Sequence, residues 1–189
     1  VSCDWVGYSL GGRIAMAFAA HSPKRIHRLF LISSSPGLRK ESDRLARMTL
    51  DQARAETLIH HSLKSFIEDW YENPMFNALK TTHNFALVMS NRCLSNSKDH
   101  LAKALVGFSP GIMPSYWEML SKASYPIYYM TGALDVKFSE IALQLKAIAP
   151  SIKMQILPKV GHAVHIENRY ETIQWLVSAW RTTNDTNNN

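Results

Sequence analysis

The sequence is poor in cysteine and holds no long apolar run. Its two cysteines, Cys3 and Cys93, are too few for a disulfide framework among 189 residues, which favours a reducing compartment. No stretch approaches the ~20 consecutive apolar residues of a membrane-spanning helix, and no signal peptide is recognisable. We therefore predict no membrane span and expect a cytoplasmic protein, or a plastid stromal one if the source is a plant or alga.

Long runs of a single charge are also missing. The formal net charge is +6, but the basic residues are scattered and mixed with acidic ones, as in the segment 40–44. Nucleic-acid binding would require a basic patch or stripe, so we expect no nucleic-acid partner. A small anionic substrate explains the excess of positive charge equally well. No group of residues has the spacing of a metal site, so no metal is expected.

The most informative feature that is present is a G-x-S-x-G motif at residues 7–11. An apolar pair precedes it and an alanine-rich run follows it, which predicts the strand, sharp turn and helix of a nucleophile elbow. Glycines on both sides of Ser9 should let the strand and the helix approach without a Cβ clash, leaving the hydroxyl exposed. The N–H groups at the start of the helix, that of Leu10 first, can stabilise a developing negative charge.

Apolar runs that alternate with helical patterns predict a parallel α/β sheet, and 46% hydrophobic residues are enough for one core. The predicted strands are 28–32, 126–131 and 153–157, and the predicted helices that follow the later strands are 140–149 and 170–181. Residues 36–124 hold prolines, no good strand and helical patterns at 43–61, 63–71, 83–94 and 99–106. We interpret them as a helical lid between hydrolase-core segments 1–35 and 125–181, the alternative being helices that simply pack on the sheet. Residues 182–189 are polar and predict a disordered tail.

Two further residues complete the chemistry that the motif begins. A serine hydroxyl is a weak nucleophile and base until a histidine takes its proton and an acid orients that histidine. Asp135 follows the predicted strand 126–131 through a glycine turn, and His162 follows the strand 153–157 directly after a glycine. Serine, acid and histidine in this order are typical of α/β-hydrolases. Weaker alternatives are Asp4, Glu118 and Glu140 for the acid and His165 for the histidine.

The position of the elbow in the chain leads to a further expectation. In α/β-hydrolases the elbow follows the fifth strand, and a loop upstream of it supplies a second oxyanion donor. We therefore expect the chain to be the C-terminal two-thirds of an α/β-hydrolase fold, lacking roughly 80 or more residues, or the end of a longer fusion protein. As an isolated fragment it is expected to be inactive and poorly folded.

Arg13 lies one helical turn after Ser9, where its side chain can stay near the mouth of the site. An ordinary esterase has no need of a guanidinium there, whereas a substrate with carboxylates does, because arginine binds carboxylates bidentately. A surface salt bridge explains this residue equally well. Arg44, Arg47 and Arg92 lie in the predicted lid and could complete an anion-binding set.

Seven motifs that span nearly the whole chain resemble those of the 2-succinyl-6-hydroxy-2,4-cyclohexadiene-1-carboxylate synthases. They are Gly-Tyr-Ser-Leu-Gly-Gly-Arg at 7–13, Ser-Pro-Gly-Leu at 35–38, Asp-Trp-Tyr at 69–71, Asn-Arg at 91–92, Asp-Val-Lys-Phe at 135–138, Gly-His at 161–162 and Glu-Asn at 167–168. The serine motif and Gly-His belong to all α/β-hydrolases. The arginine at 13, Asp-Trp-Tyr and Asp-x-Lys-Phe are much more specific.

The resemblance implies a triad of Ser9, Asp135 and His162 and no metal or organic cofactor. The residues expected to bind substrate are Tyr8, Arg13, Arg47, Trp70, Tyr71 and Arg92. Arg47 is preferred to Arg44 on spacing alone, and Trp70 and Tyr71 would reach the site from the lid.

The implied reaction belongs to menaquinone and phylloquinone biosynthesis. Pyruvate is eliminated from 2-succinyl-5-enolpyruvyl-6-hydroxy-3-cyclohexene-1-carboxylate, a small polyanion, to give the cyclohexadiene. His162 would draw the proton from Ser9, whose oxygen would remove the ring proton next to the succinyl ketone. The alternatives are a serine hydrolase with the same triad, acting on an ester or a carbon–carbon bond, and a non-catalytic binding protein on a hydrolase fold.

Overall fold

A computed structural model of the chain describes residues 1–184 and contains one parallel four-stranded sheet. The strands, in their spatial order, are β1 (Cys3–Tyr8), β2 (Ile26–Ile32), β3 (Ile127–Gly132) and β4 (Lys153–Leu157). Every neighbouring pair is parallel, and the register sets Leu29 of β2 beside Trp5 on one side and Ile127 on the other. The predicted α/β class is thereby confirmed, and the three predicted strands lie within two residues of the observed ones.

Helices occupy most of the remaining chain. They are α1 (Leu10–His21), α2 (Glu41–His60), α3 (Leu63–Tyr71), α4 (Asn77–Lys80), α5 (Phe85–Ser95), α6 (Lys98–Gly107), α7 (Trp117–Ser121), α8 (Val136–Ile148), α9 (Val164–Glu167) and α10 (Arg169–Asn184), with short 3-10 turns at Pro23–Arg25 and Pro74–Phe76. Within residues 1–184, none of these helices is both long and apolar enough to span a membrane.

Two helix boundaries differ from the prediction. Helix α8 begins at Val136 instead of residue 140, because Phe138 is buried against the sheet and tertiary packing overrides its modest helix propensity. Helix α10 continues to Asn184, so residues 182–184 of the predicted tail are helical. The rest of that tail, residues 185–189, lies outside the described part of the chain.

The sheet is covered by helices on both faces. Leu29 and Leu31 of β2 point to the side covered by α1 and α8, whereas Phe30 and Ile32 point to the side covered by α10. Alternate residues of a strand face opposite sides, so a strand with two covered faces must be apolar throughout. This arrangement explains why β2 and β3 are recognisable in the sequence as short apolar runs.

Helices α2 to α7 are inserted between β2 and β3. One of their apolar clusters consists of Ala55, Leu58, Phe66 and Ala102, and the other of Ile67, Tyr71, Phe76 and Leu79 together with Ala163. Ala163 comes from the loop after β4, so the second cluster lies against the loop that carries His162. Helix α7 differs from the others, because its Trp117 and Leu120 belong to the core of the sheet.

The two ends of the insertion meet beside the sheet. The Trp117 indole N–H donates to the Gly37 carbonyl at 2.9 Å, and the Tyr116 N–H donates to the Pro36 carbonyl at 2.7 Å. Gly37 has a φ of 101°, and a Cβ there would lie 2.8 Å from the Pro114 carbonyl oxygen, so only glycine fits this junction. The insertion is therefore anchored at its base, close to the end of β2.

Candidate active site

Ser9 occupies the sharp turn between β1 and α1. Its φ of 49° and ψ of −109° lie in a region that non-glycine residues rarely adopt, and such strain is concentrated at functional sites. The strand end of β2 supports the turn, because Ser9 N–H donates to the Ile32 carbonyl at 2.9 Å and the Ser34 hydroxyl donates to the Ser9 carbonyl at 2.9 Å. Leu10 is the first residue of α1, where N–H groups have no partner within the helix.

The glycines around Ser9 do not all serve the close packing that the motif predicts. A Cβ on Gly7 would lie 2.5 Å from the Gly12 Cα, and a Cβ on Gly12 would lie 2.5 Å from the Ser34 Cβ. A Cβ on Gly11 would have no other heavy atom within 4 Å. The expectation for Gly11 was therefore wrong, and the close approach depends on Gly7 and on Gly12, which lies just outside the motif.

We expect Gly12→Ala to lower the free energy of unfolding by about 1–3 kcal/mol, because the added methyl group forces the elbow and Ser34 apart. Gly11→Ala is the matched control and should be neutral or stabilising by up to about 1 kcal/mol, since alanine is the better helix former. Chemical denaturation of both variants measures the difference. Equal effects at the two positions would contradict this account of the elbow.

The side chains of Ser9, Asp135 and His162 lie together at the carboxyl ends of β1, β3 and β4. His162 Nε2 is 3.1 Å from the Ser9 Oγ, and His162 Nδ1 is 2.6 Å from the Asp135 Oδ2. The histidine and aspartate side chains are only 1% and 3% exposed. When Nδ1–H donates to the carboxylate, Nε2 is left to accept the serine proton. The arrangement can therefore move a proton from Ser9 to His162.

Packing and hydrogen bonds hold the imidazole of His162 in place. Its ring centroid is 4.7 Å from that of Phe138 and 5.8 Å from that of Phe76. The Glu167 carboxylate accepts hydrogen bonds from the N–H groups on both sides of the histidine, Gly161 at 2.5 Å and Ala163 at 2.9 Å. The loop around His162 is thus supported from α9, and the ring from α8 and the inserted helices.

The alternative acids lie away from Ser9. Asp4 is at the opposite end of β1, where it accepts hydrogen bonds from Arg28 at 2.6 and 2.9 Å and contacts His27 at 2.8 Å. Although burial raises the pKa of Asp4, the hydrogen bonds from Arg28 and His27 bring it below its ordinary value. Glu118 and Glu140 are exposed on helices. The structure brings only Asp135, of these four carboxylates, to the histidine.

The alternative histidine, His165, packs at a tilted angle against a tyrosine and is not bonded to the serine. Its ring centroid is 4.3 Å from that of Tyr8, and its buried Nδ1 has no hydrogen-bond partner among residues 1–184. Burial, with the nearby Arg92 and His162, lowers the pKa of His165, so this ring is neutral at neutral pH.

Ser9 opens onto a cavity of about 730 Å³ between the sheet and the inserted helices. Its charged lining residues are the cations Arg13, Arg47, Arg54 and Lys137 and the acids Asp51 and Asp69, and its large apolar ones include Leu38, Phe66, Trp70, Phe76 and Phe138. In the described part of the chain, no three His, Cys, Asp or Glu side chains are grouped as they would be around a metal ion. The cavity is therefore a largely apolar chamber in which basic lining residues outnumber acidic ones.

Arg13 links the elbow helix to the insertion. Its guanidinium is half-buried and donates a hydrogen bond from Nη1 to the Phe108 carbonyl. Burial, and then the proximity of Arg47, lowers the pKa of Arg13 to about 10, and Asp51 opposes this shift. The side chain therefore keeps its charge at neutral pH, on the wall of the cavity beside Ser9.

The two arginines that spacing could not separate are placed differently. Arg47 lines the cavity, and its Nε donates to Asp51 at 2.7 Å. Arg44 points toward the backbone and donates weakly to the carbonyls of Leu38 and Arg39, both at 3.4 Å. Of the two, only Arg47 lines the cavity, and its anion-binding role stays a prediction.

Tyr8, Tyr71 and Arg92 form a group of their own next to His162. The Arg92 Nε donates to the Tyr71 hydroxyl at 3.3 Å, and the Tyr8 ring centroid is 5.3 Å from that of His162. Burial raises the pKa of Tyr8, so its phenol keeps its proton. The structure does not place these three among the residues that line the cavity with Ser9, and their contact with substrate stays a prediction.

Sequence reasoning missed Arg54 and Lys137 as cavity residues. Arg54 follows Arg47 by seven residues on α2, a spacing that sets two side chains on the same face of a helix, so this signal was available. Lys137 is part of the Asp-Val-Lys-Phe motif, two residues after Asp135, but nothing in its spacing indicates which way it points. It is exposed and is one of the residues that line the cavity.

Comparisons with known proteins bear on the fold and the family of the chain. A family model described as "alpha/beta hydrolase fold" matches residues 3–169. The 2-succinyl-6-hydroxy-2,4-cyclohexadiene-1-carboxylate synthase of Enterobacter sp. (strain 638) is 36% identical over 86% of this chain and 60% of its own length. The chloroplastic protein PHYLLO of Arabidopsis thaliana is 32% identical over 89% of this chain but only 10% of its own length. The solved structure of MenH from S. aureus has a TM-score of 0.88 and 31% identity, and the match covers 94% of this chain and 67% of that one. This chain thus spans about 60% of the length of the curated synthase.

Proposed function

The chain belongs to the α/β-hydrolase fold family, and on that basis we propose that the protein is a lyase that eliminates pyruvate from 2-succinyl-5-enolpyruvyl-6-hydroxy-3-cyclohexene-1-carboxylate. The product would be 2-succinyl-6-hydroxy-2,4-cyclohexadiene-1-carboxylate. The resemblance found in the motifs is confirmed by the similarity to the synthases and to MenH. One observation carries the proposal: Ser9, which is bonded to His162, faces a cavity whose lining includes four cations, Arg13, Arg47, Arg54 and Lys137.

The reaction needs one strong base and no net change of protonation on the protein. His162 accepts the proton of Ser9, and the serine oxygen removes the ring proton at carbon 2, next to the succinyl ketone. The Leu10 N–H donates to the enolate oxygen that develops. The double bond between carbons 3 and 4 then moves as the bond between carbon 5 and oxygen breaks. The departing pyruvate enolate takes the proton from His162, and Ser9 keeps the proton from carbon 2.

The charge of the cavity suits this substrate. The ring, the succinyl group and the enolpyruvyl group each carry a carboxylate, so the substrate has three negative charges. Guanidinium groups bind carboxylates with two parallel hydrogen bonds and are less strongly hydrated than an ammonium group. Arg13 and Arg47 would bind two of the carboxylates beside Ser9, with Trp70 packing against the ring. An esterase for neutral substrates would gain nothing from such a wall.

The inserted residues 36–124 would act as the lid of this site. They supply Arg47, Arg54, Trp70 and Phe76 to the cavity, whereas the core supplies Ser9 and Arg13. A lid of this kind excludes water, which strengthens the interaction between the guanidinium groups and the carboxylates. It would also protect the enolate from protonation by solvent.

The decisive experiment identifies the products that form from the proposed substrate. We expect equal amounts of pyruvate and cyclohexadiene. Mass spectrometry identifies both products, and the ultraviolet absorbance of the conjugated diene measures the second. All assays use the longest natural chain that contains these residues. Hydrolysis of the enol ether would instead leave a hydroxyl group on carbon 5 and no second ring double bond, which would support the hydrolase alternative. A serine-directed fluorophosphonate that fails to label Ser9 would support a non-catalytic binding protein.

The sources of the similar proteins suggest a cellular location for this one. Bacterial synthases and a chloroplastic protein of a plant are similar to this chain. We therefore infer a bacterial cytoplasm or, for a plant or algal source, a plastid. Fractionation with an antibody against the natural protein would test this inference.

A further inference from the structure

Asp51 of α2 is the most deeply buried carboxylate beside the cavity. Its side chain is 1% exposed, and three side chains bond to it. Arg47 Nε and the Ser109 hydroxyl donate to Oδ2, both at 2.7 Å, and Arg54 Nη1 donates to Oδ1 at 3.2 Å. An isolated carboxylate at such a depth would be strongly unfavourable, and the two guanidinium groups and the hydroxyl offset the cost of removing it from water.

The same bonds fix the two arginines. The side chains of Arg47 and Arg54 are 26% and 32% exposed, and both line the cavity that contains Ser9. A free arginine side chain would lose considerable rotamer entropy on binding a ligand. Because Asp51 already orders them, they are presented to the cavity with much of that entropy already lost. Arg54 is also held from the side by Trp70, whose ring centroid is 5.5 Å from the guanidinium carbon.

Asp51 is connected to the elbow helix through the loop after α6. The Ser109 hydroxyl that donates to Asp51 also accepts the Gly111 N–H at 3.0 Å. The neighbouring Phe108 carbonyl accepts the hydrogen bond from Arg13. One loop thus joins Asp51 and its two arginines to the third guanidinium, which lies one helical turn from Ser9.

We propose that Asp51 is a positioning residue that sets Arg47 and Arg54 for recognition of a polycarboxylate, and that it thereby determines the specificity of the site. The identity of the natural polycarboxylate rests on the proposed function. The proposal has an unusual consequence, because Asp51 is itself an anion in a site for anions. If only the net charge of the cavity mattered, neutralising Asp51 would improve the binding of an anion. If positioning matters, the same change weakens it.

The test compares Asp51→Asn with the wild-type protein. Citrate, a tricarboxylate, protects Ser9 from an uncharged fluorophosphonate, and the concentration needed for half-protection measures its affinity. We expect Asp51→Asn to weaken protection by about tenfold or more, the usual cost of losing charge-assisted hydrogen bonds. With the proposed substrate, KM should rise similarly while kcat changes less than about threefold, since the triad is untouched. Protection by citrate that is equal or stronger in the variant would overturn the proposal.

Three further variants separate positioning from folding and from charge. Glu56→Gln makes the same change of charge on an exposed part of α2 and should leave protection unchanged. Asp51→Glu keeps the charge but moves the carboxylate, and the proposal requires that it also weakens protection.

If Asp51→Asn does not fold, Ser109→Ala takes its place, with an expected loss of about threefold from one hydrogen bond. No loss in Ser109→Ala would overturn the proposal. If the wild-type protein releases no pyruvate, the proposed function fails, but the citrate measurement still decides the role of Asp51.

Discussion

His162→Ala is expected to lower kcat for pyruvate release by about 10⁴-fold. The imidazole is the only base within reach of the Ser9 hydroxyl in the described part of the chain, at 3.1 Å, and it is held by Asp135 at 2.6 Å. Without it the serine proton has no acceptor, and the hydroxyl at its ordinary pKa is too weak a base to remove a carbon-bound proton. Steady-state assays of pyruvate release measure the loss, with KM expected to change little.

Variants at two other positions strengthen this test. Ser9→Ala should cost about as much as His162→Ala, and the double variant should cost no more than either, because residues that act as a unit give non-additive effects. His60→Ala, an exposed histidine at the end of α2, is the control for the substitution itself and should keep wild-type rates. His162→Asn preserves more of the side-chain volume if alanine disturbs folding. A histidine variant that folds and stays within tenfold of wild type would rule out the proposed relay.

Arg13→Ala is expected to lower kcat/KM for the polyanionic substrate by about 10–100-fold, mainly through KM. The guanidinium lines the cavity beside Ser9 and keeps its charge, as its pKa of about 10 indicates. Loss of a bidentate partner for one carboxylate removes binding that the ground state and the transition state share. Arg13→Lys should restore only part of the loss, because an ammonium group cannot offer two parallel donors.

Arg44→Ala provides the matched control for this prediction. Arg44 is not among the residues that line the cavity and donates only weakly to the carbonyls of Leu38 and Arg39, so its removal should leave KM within about twofold, while Arg47→Ala should resemble Arg13→Ala. Labelling of Ser9 by the uncharged fluorophosphonate should be normal in all three variants, which separates substrate binding from damage to the triad. An unchanged KM in Arg13→Ala would count decisively against a polyanionic substrate and would favour an ordinary esterase.

Much of the framework was recognisable before any coordinates. The apolar runs of β2, β3 and β4 were visible because both faces of this parallel sheet are covered, and helices α2, α3, α5 and α6 were visible through their amphipathic spacing. The elbow could be located because a serine between glycines, after a strand and before a helix, has a distinct local pattern. Asp135 and His162 were identified by their order along the chain and by the strands that they follow.

Other features depend on distances that no local pattern encodes. Gly12, not Gly11, makes the close contact at the elbow, because Ser34, in the segment after β2, packs against it. Tyr71 and Arg92 bond to each other instead of lining the cavity, although their motifs gave no hint of this pairing. Lys137 lines the cavity because α8 begins directly after Asp135 and places it in the first turn of the helix.

The sequence by itself determined the α/β class, the elbow and the order of serine, acid and histidine. It also predicted an arginine near the serine. These properties depend on short-range periodicity and on turns, which neighbouring residues encode. Only the tertiary structure decided which side chains meet, above all that Asp51 ties Arg47 and Arg54 to the cavity and that Arg44 is turned away. The physical reason is that ion pairs and cavities form between segments that are distant in the chain. Their energies depend on burial and on interatomic distances, which cannot be read from the spacing of residues within one segment.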